Sequence, residues 1–516
     1  MSLKNSENAV KNKQKEKKRD RAREVADTFE WLITAFILAF VFRAFIMEAF
    51  RIPTGSMADT LKGAHFRFRC PECGYQYDHG FVPSLYGMED DTVPAIKVQP
   101  PAVAVCPSCG FRKTRTGDER TNVANGDRIL VLKCIYQFLE PKRWDVIVFK
   151  NPSDPTVNYI KRLIALPNEK VQIIDGDIYI DGKIQRKPPK VQNELWMPVF
   201  DNDYQPVDRL IPYYNLHQWK EPFVPTASSH WQADQSNSAF FHLDSPEDNI
   251  NSLVYDTSLG NDFRTTYSYN DISRPENLPF CSDLMVRLYC QTGKSSGRIG
   301  IALGKYETNY KGWIDFSGEM VITKDDEQKP LARKVITPFS ENQENLTLVR
   351  FANVDHMLVL EFGDEKLTYD LGCNPEDAGP IKEDVRPSVE IFGSGKLTIS
   401  HLAIFRDIHY TTYKFGPGSE YGRATKEPFL LGKDEFFVLG DNSPNSEDCR
   451  WWQSEGLSNK GQPRYRTGIV PRDYLVGKAI FVYWPSGFKP FEQFPFNIIP
   501  NVGQMRLIYG GSDKLE

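Results

Sequence analysis

The hydrophobic pattern changes character twice within the first fifty residues. Residues 11–24, KNKQKEKKRDRARE, are polar, mostly basic and without apolar periodicity, which predicts a solvated tail over 1–27. From Phe29 to Met47, FEWLITAFILAFVFRAFIM, apolar residues would cover every face of a helix. This run approaches the ~20 residues that a spanning helix needs. A buried helix of a soluble protein and a cleavable signal peptide are the competing readings. The second is disfavoured because no small-x-small site follows within reach. A signal anchor over 28–48 fits best. Arg43 then lies about one turn from an interface and can snorkel to it. The Lys/Arg excess precedes the span, so the N-terminus is expected in the cytoplasm and everything after residue 50 outside it.

Beyond the span the pattern is that of strands. VQIIDGDIYIDGK, Val171 to Lys183, alternates around two Asp-Gly turns and predicts a hairpin. LMVRLYC from Leu284, GRIGIAL from Gly297, LTLVRFA from Leu346, MLVLEF from Met357, VEIF from Val389 and KLTISHLAIFRD from Lys396 follow at regular spacing. Their alternation and Gly/Asp turns predict an antiparallel, jelly-roll-like sandwich. The fold class is therefore mainly β behind one N-terminal helix.

Composition narrows this only a little. A chain of 516 residues can hold two or three domains. A net charge of −5 gives no basic field, so nucleic acid is not an expected partner. Nine cysteines is an odd count, which excludes a complete disulfide framework.

Candidate chemistry begins at FRIPTGSMADTL, Phe50 to Leu61, where the chain leaves the span. Ser56 is either a turn residue or a nucleophile, and a nucleophile needs a base. None of the eight histidines stands in a triad-like setting; His65 and His79 are nearest in sequence. Lys161, in VNYIKRLIALPNE, is the alternative base. It must be neutral, which apolar burial can achieve, although an edge-strand surface lysine is the plainer reading of that segment. EFFVLGDNSPNSEDCRWW adds an apolar strand running into a Gly-Asp-Asn turn, with Ser446, Asp448 and Arg450 close behind. A hydroxyl and an Asp–Arg pair could position a neutral lysine without adding net charge.

Four segments in order, FRIPTGSMADTL, GDRILVLK, YIKRLIALPNE and FFVLGDNSPNSEDCR, resemble the boxes of type I signal peptidases, the membrane-bound Ser/Lys proteases. The resemblance covers about 26–62, 121–185 and 433–485. It implies that Ser56 is the nucleophile and Lys161 the general base. The Ser56 amide and the Thr54 hydroxyl would form the oxyanion hole. Ser446 would orient the lysine, and Asp448 and Arg450, with Arg162, would form a supporting salt-bridge layer. Phe50, Ile52, Pro53, Met57, Tyr159 and Ile160 match positions lining small apolar pockets for the substrate's −1 and −3 residues. The implied reaction is removal of signal peptides from exported preproteins at the bilayer surface, without a catalytic cofactor. The chain departs from the family at Cys449, where Ser is common, at Ser443, where Arg or Lys is common, and at Asn168-Glu169, where Gly-Asp or Gly-Glu is common.

Two insertions interrupt that scaffold. The first carries CPECG (Cys70, Cys73) and CPSCG (Cys106, Cys109), paired knuckles that resemble a zinc ribbon. A pair of C-x-x-C disulfides is the rival, with His79 a spare ligand. The second is the sandwich, weakly similar to lectin- and glucanase-like jelly rolls. It is read as a spacer or interaction domain, or as a carbohydrate- or protein-binding one with Trp219, Trp231 and Trp313 as candidate stacking residues. Cys281 and Cys290 could form a local disulfide there.

The expected order is tail 1–27, anchor 28–48, nucleophile segment 49–66, zinc-ribbon-like insertion 67–120, general-base segment 121–190, sandwich 191–425 and C-terminal catalytic segment 426–516. The alternative from another class is an inactive, membrane-anchored surface scaffold that keeps the fold. A self-cleaving Ser/Lys regulator is disfavoured by the anchor and by the lack of a DNA-binding helix pair.

Overall fold

The computed structural model describes residues 24–89, 92–206, 212–214, 217–234, 239–271, 275–292, 296–325, 327, 329–338, 346–382, 384–414, 420–458, 461–487 and 499–511. The expected basic tail lies outside them up to residue 23. An apolar helix, Glu24–Ile46, is long enough to cross a membrane and packs none of its most apolar stretch against the rest of the chain. Phe29, Trp31, Phe36, Leu38 and Phe40 are all exposed on it. So much apolar surface is unfavourable in water, and it fits a membrane-anchored protein. The helix stops two residues before the expected boundary. Lys133 N–H donates to the Ile46 carbonyl (2.9 Å), and Met47–Arg51 becomes an edge strand on Arg128–Leu132. Glu48, expected at the end of the span, instead pairs with Lys133 at 3.0 Å.

That edge opens a largely antiparallel sheet. Its order is Met47–Arg51, Arg128–Leu132, Leu475–Trp484, Val146–Asn151, Asp154–Ala165, Glu435–Leu439 and Val470–Pro471, with Arg506–Leu507 beside Leu475–Trp484. The sheet therefore joins three segments distant in sequence. Phe436 to Leu439 are all fully buried, as are Leu163 to Ala165, which explains why both stretches read as unbroken apolar runs. The predicted hairpin is present as Lys170–Ile174, Asp177–Ile180 and Lys183–Ile184. Asp175-Gly176 and Asp181-Gly182 all have positive φ at its two turns, as two-residue hairpin loops require.

Each predicted strand of the second insertion is found. Leu284–Thr292, Thr347–Val354, Met357–Phe362 and Lys396–Arg406 lie in one sheet, and Arg298–Lys305 and Ser388–Ser394 in another. Val286, Leu288, Phe351, Leu360 and Ile399 from the first sheet share a core with Ile299, Ile301, Ile314, Ile322 and Ile391 from the second, so the two form a sandwich. The chain rejoins the scaffold earlier than the expected boundary at 425. Ile408, Tyr410 and Ala424 already pack in the core with Leu163, Phe436 and Val438. Cys281 and Cys290 are free thiols rather than a disulfide. Cys290 fills the sandwich core, and the Cys281 thiol donates to the Asp407 carbonyl at 3.5 Å.

A buried charge cluster fastens the sandwich to the scaffold. Lys187 Nζ lies between Asp355 (2.6 Å) and Asp407 (2.7 Å), Lys305 pairs with Asp283, and Asp177 on the hairpin completes the group. Gln192 donates to Asp407 at 2.7 Å. Asp177 and Lys187 come from the scaffold side, as does Gln192, on the helix Pro189–Leu195 whose Val191 and Leu195 pack in the core of the scaffold sheet; the others come from the sandwich.

The cysteine module is a three-stranded sheet, Gln76–Gly80, His65–Arg69 and Val123–Ala124, with a small hairpin, Val103–Val105 and Arg112–Thr114. It thus begins at His65, inside the expected nucleophile segment, and ends at Ala124. Both edges read as scaffold in the sequence because their strand pattern is continuous with it.

Candidate active site

Ser56 sits in a single helical turn, Gly55–Met57, directly after the edge strand and an extended Thr54. Lys161 lies on Asp154–Ala165, opposite Ile147. The sheet brings these residues together across 105 positions of sequence: Lys161 Nζ is 2.7 Å from Ser56 Oγ. Both are buried, with relative exposures of 5% and 9%. The amine is also 3.2 Å from the Ile160 carbonyl and 5.5 Å from the centre of the Tyr159 ring. Burial disfavours the ammonium and pulls the lysine down to about 8, although the Asp448 and Asp441 carboxylates oppose the shift. The edge-strand surface lysine is thereby excluded.

Each of these carboxylates is paired with a guanidinium group. Arg450 grips Asp448 with two bonds (2.9 and 2.7 Å), and Arg162 grips Asp441 with two more (2.8 and 2.7 Å). The expected layer is therefore two separate pairs. Asp441, which sequence reasoning left unassigned in the Gly-Asp-Asn turn, is the partner of Arg162. The departures from the family pattern also find places. Ser443 Oγ accepts from Arg450 (2.7 Å) and from the Thr411 amide (2.8 Å). Cys449 is buried and accepts from the Val438 amide at 3.2 Å, and burial raises its thiol.

Ser446 is buried, but its hydroxyl makes no hydrogen bond among the described residues, to Lys161 or otherwise. It lies over Gly440. A Cβ on Gly440 would come within 2.3 Å of Ser446 Oγ and 2.4 Å of the Ser56 carbonyl oxygen, so the turn must be glycine for these groups to meet. Thr54 is exposed beside Ser56.

The apolar residues expected as pocket walls divide between two cores. Ile52 and Met57 are fully buried with Leu61, Ile129 and Val148, and half-buried Phe50 and Ile160 pack on them. Tyr159 faces the other side of its strand and packs on the core containing Phe149, with the two rings 6.4 Å apart. Phe50 also lines a groove of about 530 Å³ with Phe45, Lys133, Tyr136, Leu475 and Val476, at the end of the apolar helix. Pro53 is half-buried.

The four knuckle cysteines converge: their sulfurs all lie within 4.8 Å of one another. Gly74 and Gly110 have positive φ, and each donates its amide to the first cysteine of its knuckle (3.0 and 3.1 Å). The short contacts, Cys70–Cys109 and Cys73–Cys106, both 3.7 Å, run between knuckles. A tetrahedron with Zn–S of ~2.3 Å has edges of about 3.8 Å, so the donor set fits zinc. All four are free thiols, not C-x-x-C disulfides. His79 is bonded to the Ser268 carbonyl (3.0 Å) and His65 to the Gly63 carbonyl (2.8 Å); neither reaches a cysteine or Ser56 as a ligand or base. Of the candidate stacking residues, Trp219 is buried in the cysteine module's core and Trp231 in that of the sandwich, so neither ring offers a face to a ligand. Trp313 is half-buried against Phe392.

The family model for "Signal peptidase, peptidase S26" matches residues 104–215 and 406–484. These segments hold Lys161, Arg162, Ser446, Asp448 and Arg450, but not Ser56. Signal peptidase I of Rickettsia canadensis (strain McKiel) is 33% identical over 161 residues, which is 30% of this chain and 44% of that protein. Signal peptidase I of Rickettsia akari (strain Hartford) is 34% identical over the same length and coverage. The chain spans less than half the length of these curated relatives. Among solved structures, the carbohydrate binding module CBM66 from Bacillus subtilis is 9% identical, covering 36% of this chain and 92% of that one at a TM-score of 0.22. Caenorhabditis elegans galectin LEC-6 is 12% identical, covering 28% and 95% at 0.19. At those scores the likeness carries neither a fold nor a ligand across to this chain.

Proposed function

We propose that this chain is a membrane-bound serine endopeptidase that removes N-terminal signal peptides from exported preproteins. The buried 2.7 Å contact between Ser56 and Lys161 carries the reading, because it supplies the two groups that such a hydrolysis needs. The match of the signal peptidase family model to the segments that hold Lys161, and the similarity to signal peptidase I of Rickettsia, support it.

Neutral Lys161 takes the Ser56 proton as Oγ attacks the carbonyl after the substrate's −1 residue. The Ser56 amide and the Thr54 hydroxyl stabilise the tetrahedral oxyanion. Its collapse breaks the peptide bond, and the leaving amine takes up the proton from Lys161. Neutral Lys161 then deprotonates a water that attacks the acyl-enzyme, and its proton returns to Ser56 Oγ as the signal peptide leaves. Ser446, buried and otherwise unpartnered beside the nucleophile, is assigned to orient the amine. Asp448–Arg450 and Asp441–Arg162 hold the floor of the site without adding net charge. Small side chains at −1 and −3 are assigned to the apolar surface beside Ser56 where half-buried Phe50 and Ile160 pack over Ile52 and Met57. Lys161→Ala is expected to abolish processing of a preprotein while leaving the unfolding temperature near that of wild type. Near-normal cleavage by that variant would remove lysine from its role.

The Cys70, Cys73, Cys106 and Cys109 thiolates are assigned to a structural zinc that braces the module beside Ser56; no step of the reaction uses it. One equivalent of zinc is expected in purified protein and none in the Cys70→Ser, Cys73→Ser variant, as read by elemental analysis. Metal-free wild type of full stability would contradict the assignment.

A further inference from the structure

The inserted sandwich sends a loop, residues 264–271, into the active site. We infer that Asn270 on this loop is a positioning residue that aims the oxyanion-binding amide of Ser56, an inference that rests on the function proposed above. The geometry is a relay of two side chains. Asn442 donates its backbone N–H to the Ser56 carbonyl (3.0 Å) and its side-chain amide to the Gly55 carbonyl (2.9 Å). Asn270 and Asn442 exchange two further amide bonds, each 2.7 Å. The Gly55–Ser56 peptide is planar and trans, so its N–H points opposite to its C=O. Fixing the Gly55 carbonyl therefore fixes the direction of the Ser56 N–H. Asn442 can do this only while its nitrogen, not its oxygen, faces Gly55. The Gly55 carbonyl, which can only accept, selects that orientation, and the reciprocal bonds with Asn270 then hold the Asn442 side chain in place.

The loop is built to stay in place. The Tyr269 ring lies so close over Gly55 that a Cβ there would fall 2.2 Å from it. The Tyr269 carbonyl accepts from the Gly80 amide (2.8 Å), and its hydroxyl donates to the Ala64 carbonyl (3.1 Å). The Tyr267 hydroxyl donates to the carbonyl of Asp441, immediately before Asn442 (3.3 Å). Buried Arg406, at the end of the sandwich's longest strand, donates to the Thr266 carbonyl and lies 4.9 Å from the Tyr267 ring. The insertion is thus joined to the nucleophile turn rather than hung beside it.

An amide aimed at the oxyanion acts mainly in the transition state, so its loss lowers kcat more than it raises KM. The test uses full-length, detergent-solubilised protein and a fluorogenic peptide with Ala at −3 and −1. Wild type, Ser56→Ala, Asn270→Ala, Asn270→Asp, Asn442→Ala and the Asn270→Ala/Asn442→Ala double variant are compared in kcat, KM and unfolding temperature. Asn270→Ala is expected to lower kcat about 10- to 100-fold, in line with the sensitivity of catalysis to small misplacements, with KM within about twofold. Asn270→Asp keeps the volume and the acceptor for Asn442 and should fall between the two; it carries the test if Asn270→Ala folds poorly. The double variant should be no slower than Asn442→Ala alone, since both act through one bond. A kcat for Asn270→Ala and Asn270→Asp within twofold of wild type would overturn the inference, as would additive losses tracking the unfolding temperature. Ser56→Ala cleaving like wild type would instead overturn the proposed function, and this inference with it.

Discussion

Lys161 is the residue on which the account turns, and its sign with pH is fixed by its surroundings. Burial holds the amine at about 8, below the ~10.4 of a free lysine. Only the neutral form can accept the Ser56 proton. The value of kcat/KM should therefore rise about tenfold per pH unit below about 8 and level off above it, in a pH–rate profile on a peptide substrate. Between about 8 and ~10.4 the unfolded chain binds more protons at this lysine than the folded one does. This group thus adds stability as pH rises through that window. The sequence displayed the lysine and its apolar neighbours but not their depth. Apolar flanks fit an edge strand as well as a buried one, and only pairing with Val146–Asn151 on one side and Glu435–Leu439 on the other decides it. Ser446, Asp448 and Arg450 stood out as a hydroxyl and an Asp–Arg pair after one turn; the pair is formed, whereas the Ser446 hydroxyl makes no bond to Lys161. Asp441 was not singled out, since an Asp in a Gly-Asp-Asn turn has an ordinary local role. Asn270 gave no signal at all, because TTYSYND lies in an insertion outside the scaffold.

Among the elements, strands with a single buried face were the easiest to read. From Val286 to Cys290 burial alternates at every step, and the sequence does so with it, half-buried Arg287 and Tyr289 falling between buried Val286, Leu288 and Cys290. Boundaries were harder. The return from the sandwich at Asp407 to Tyr410 mixes Asp, Ile, His and Tyr, and these are buried by charge pairing and contacts that periodicity does not encode. The join between hairpin and sandwich depends on the same chemistry. Lys187 pairs with both Asp355 and Asp407 in a space shared with Asp177 and Asp283. Lys187→Met keeps the apolar stem but leaves those carboxylates uncompensated. It should cost about 3–5 kcal/mol, as removal of one partner from a buried ion pair does. Urea unfolding would read this directly, and a change below about 1 kcal/mol would mean that the cluster is solvated or protonated instead.

For the whole molecule, the arrangement joins three parts at one serine: an apolar helix, a sheet assembled from distant segments, and two insertions that meet over the nucleophile turn. The helix ends four residues before Phe50. A substrate lying in the bilayer would therefore reach Ser56 with little chain to spare. Basic residues before the helix and few after it predict an N-terminus in the cytoplasm and the sheet outside. An alkaline phosphatase reporter fused after residue 516 should accordingly be active only when exported; a reporter active only in the cytoplasm would reverse the topology. Overall architecture was legible because each insertion carries its own pattern, knuckles in one and alternating strands in the other. How the insertions touch the active site was not, since those contacts are made by single side chains on loops.

The central claim is hydrolysis by Ser56 after a small residue of a signal peptide. The most direct measurement incubates detergent-solubilised wild type and Ser56→Ala with a preprotein and sequences the N-terminus of the shortened product. One new N-terminus is expected, immediately after a residue such as Ala with another small residue two places before it, and no product from Ser56→Ala. The same cleavage by Ser56→Ala, or an intact preprotein after incubation with folded wild type, would contradict it.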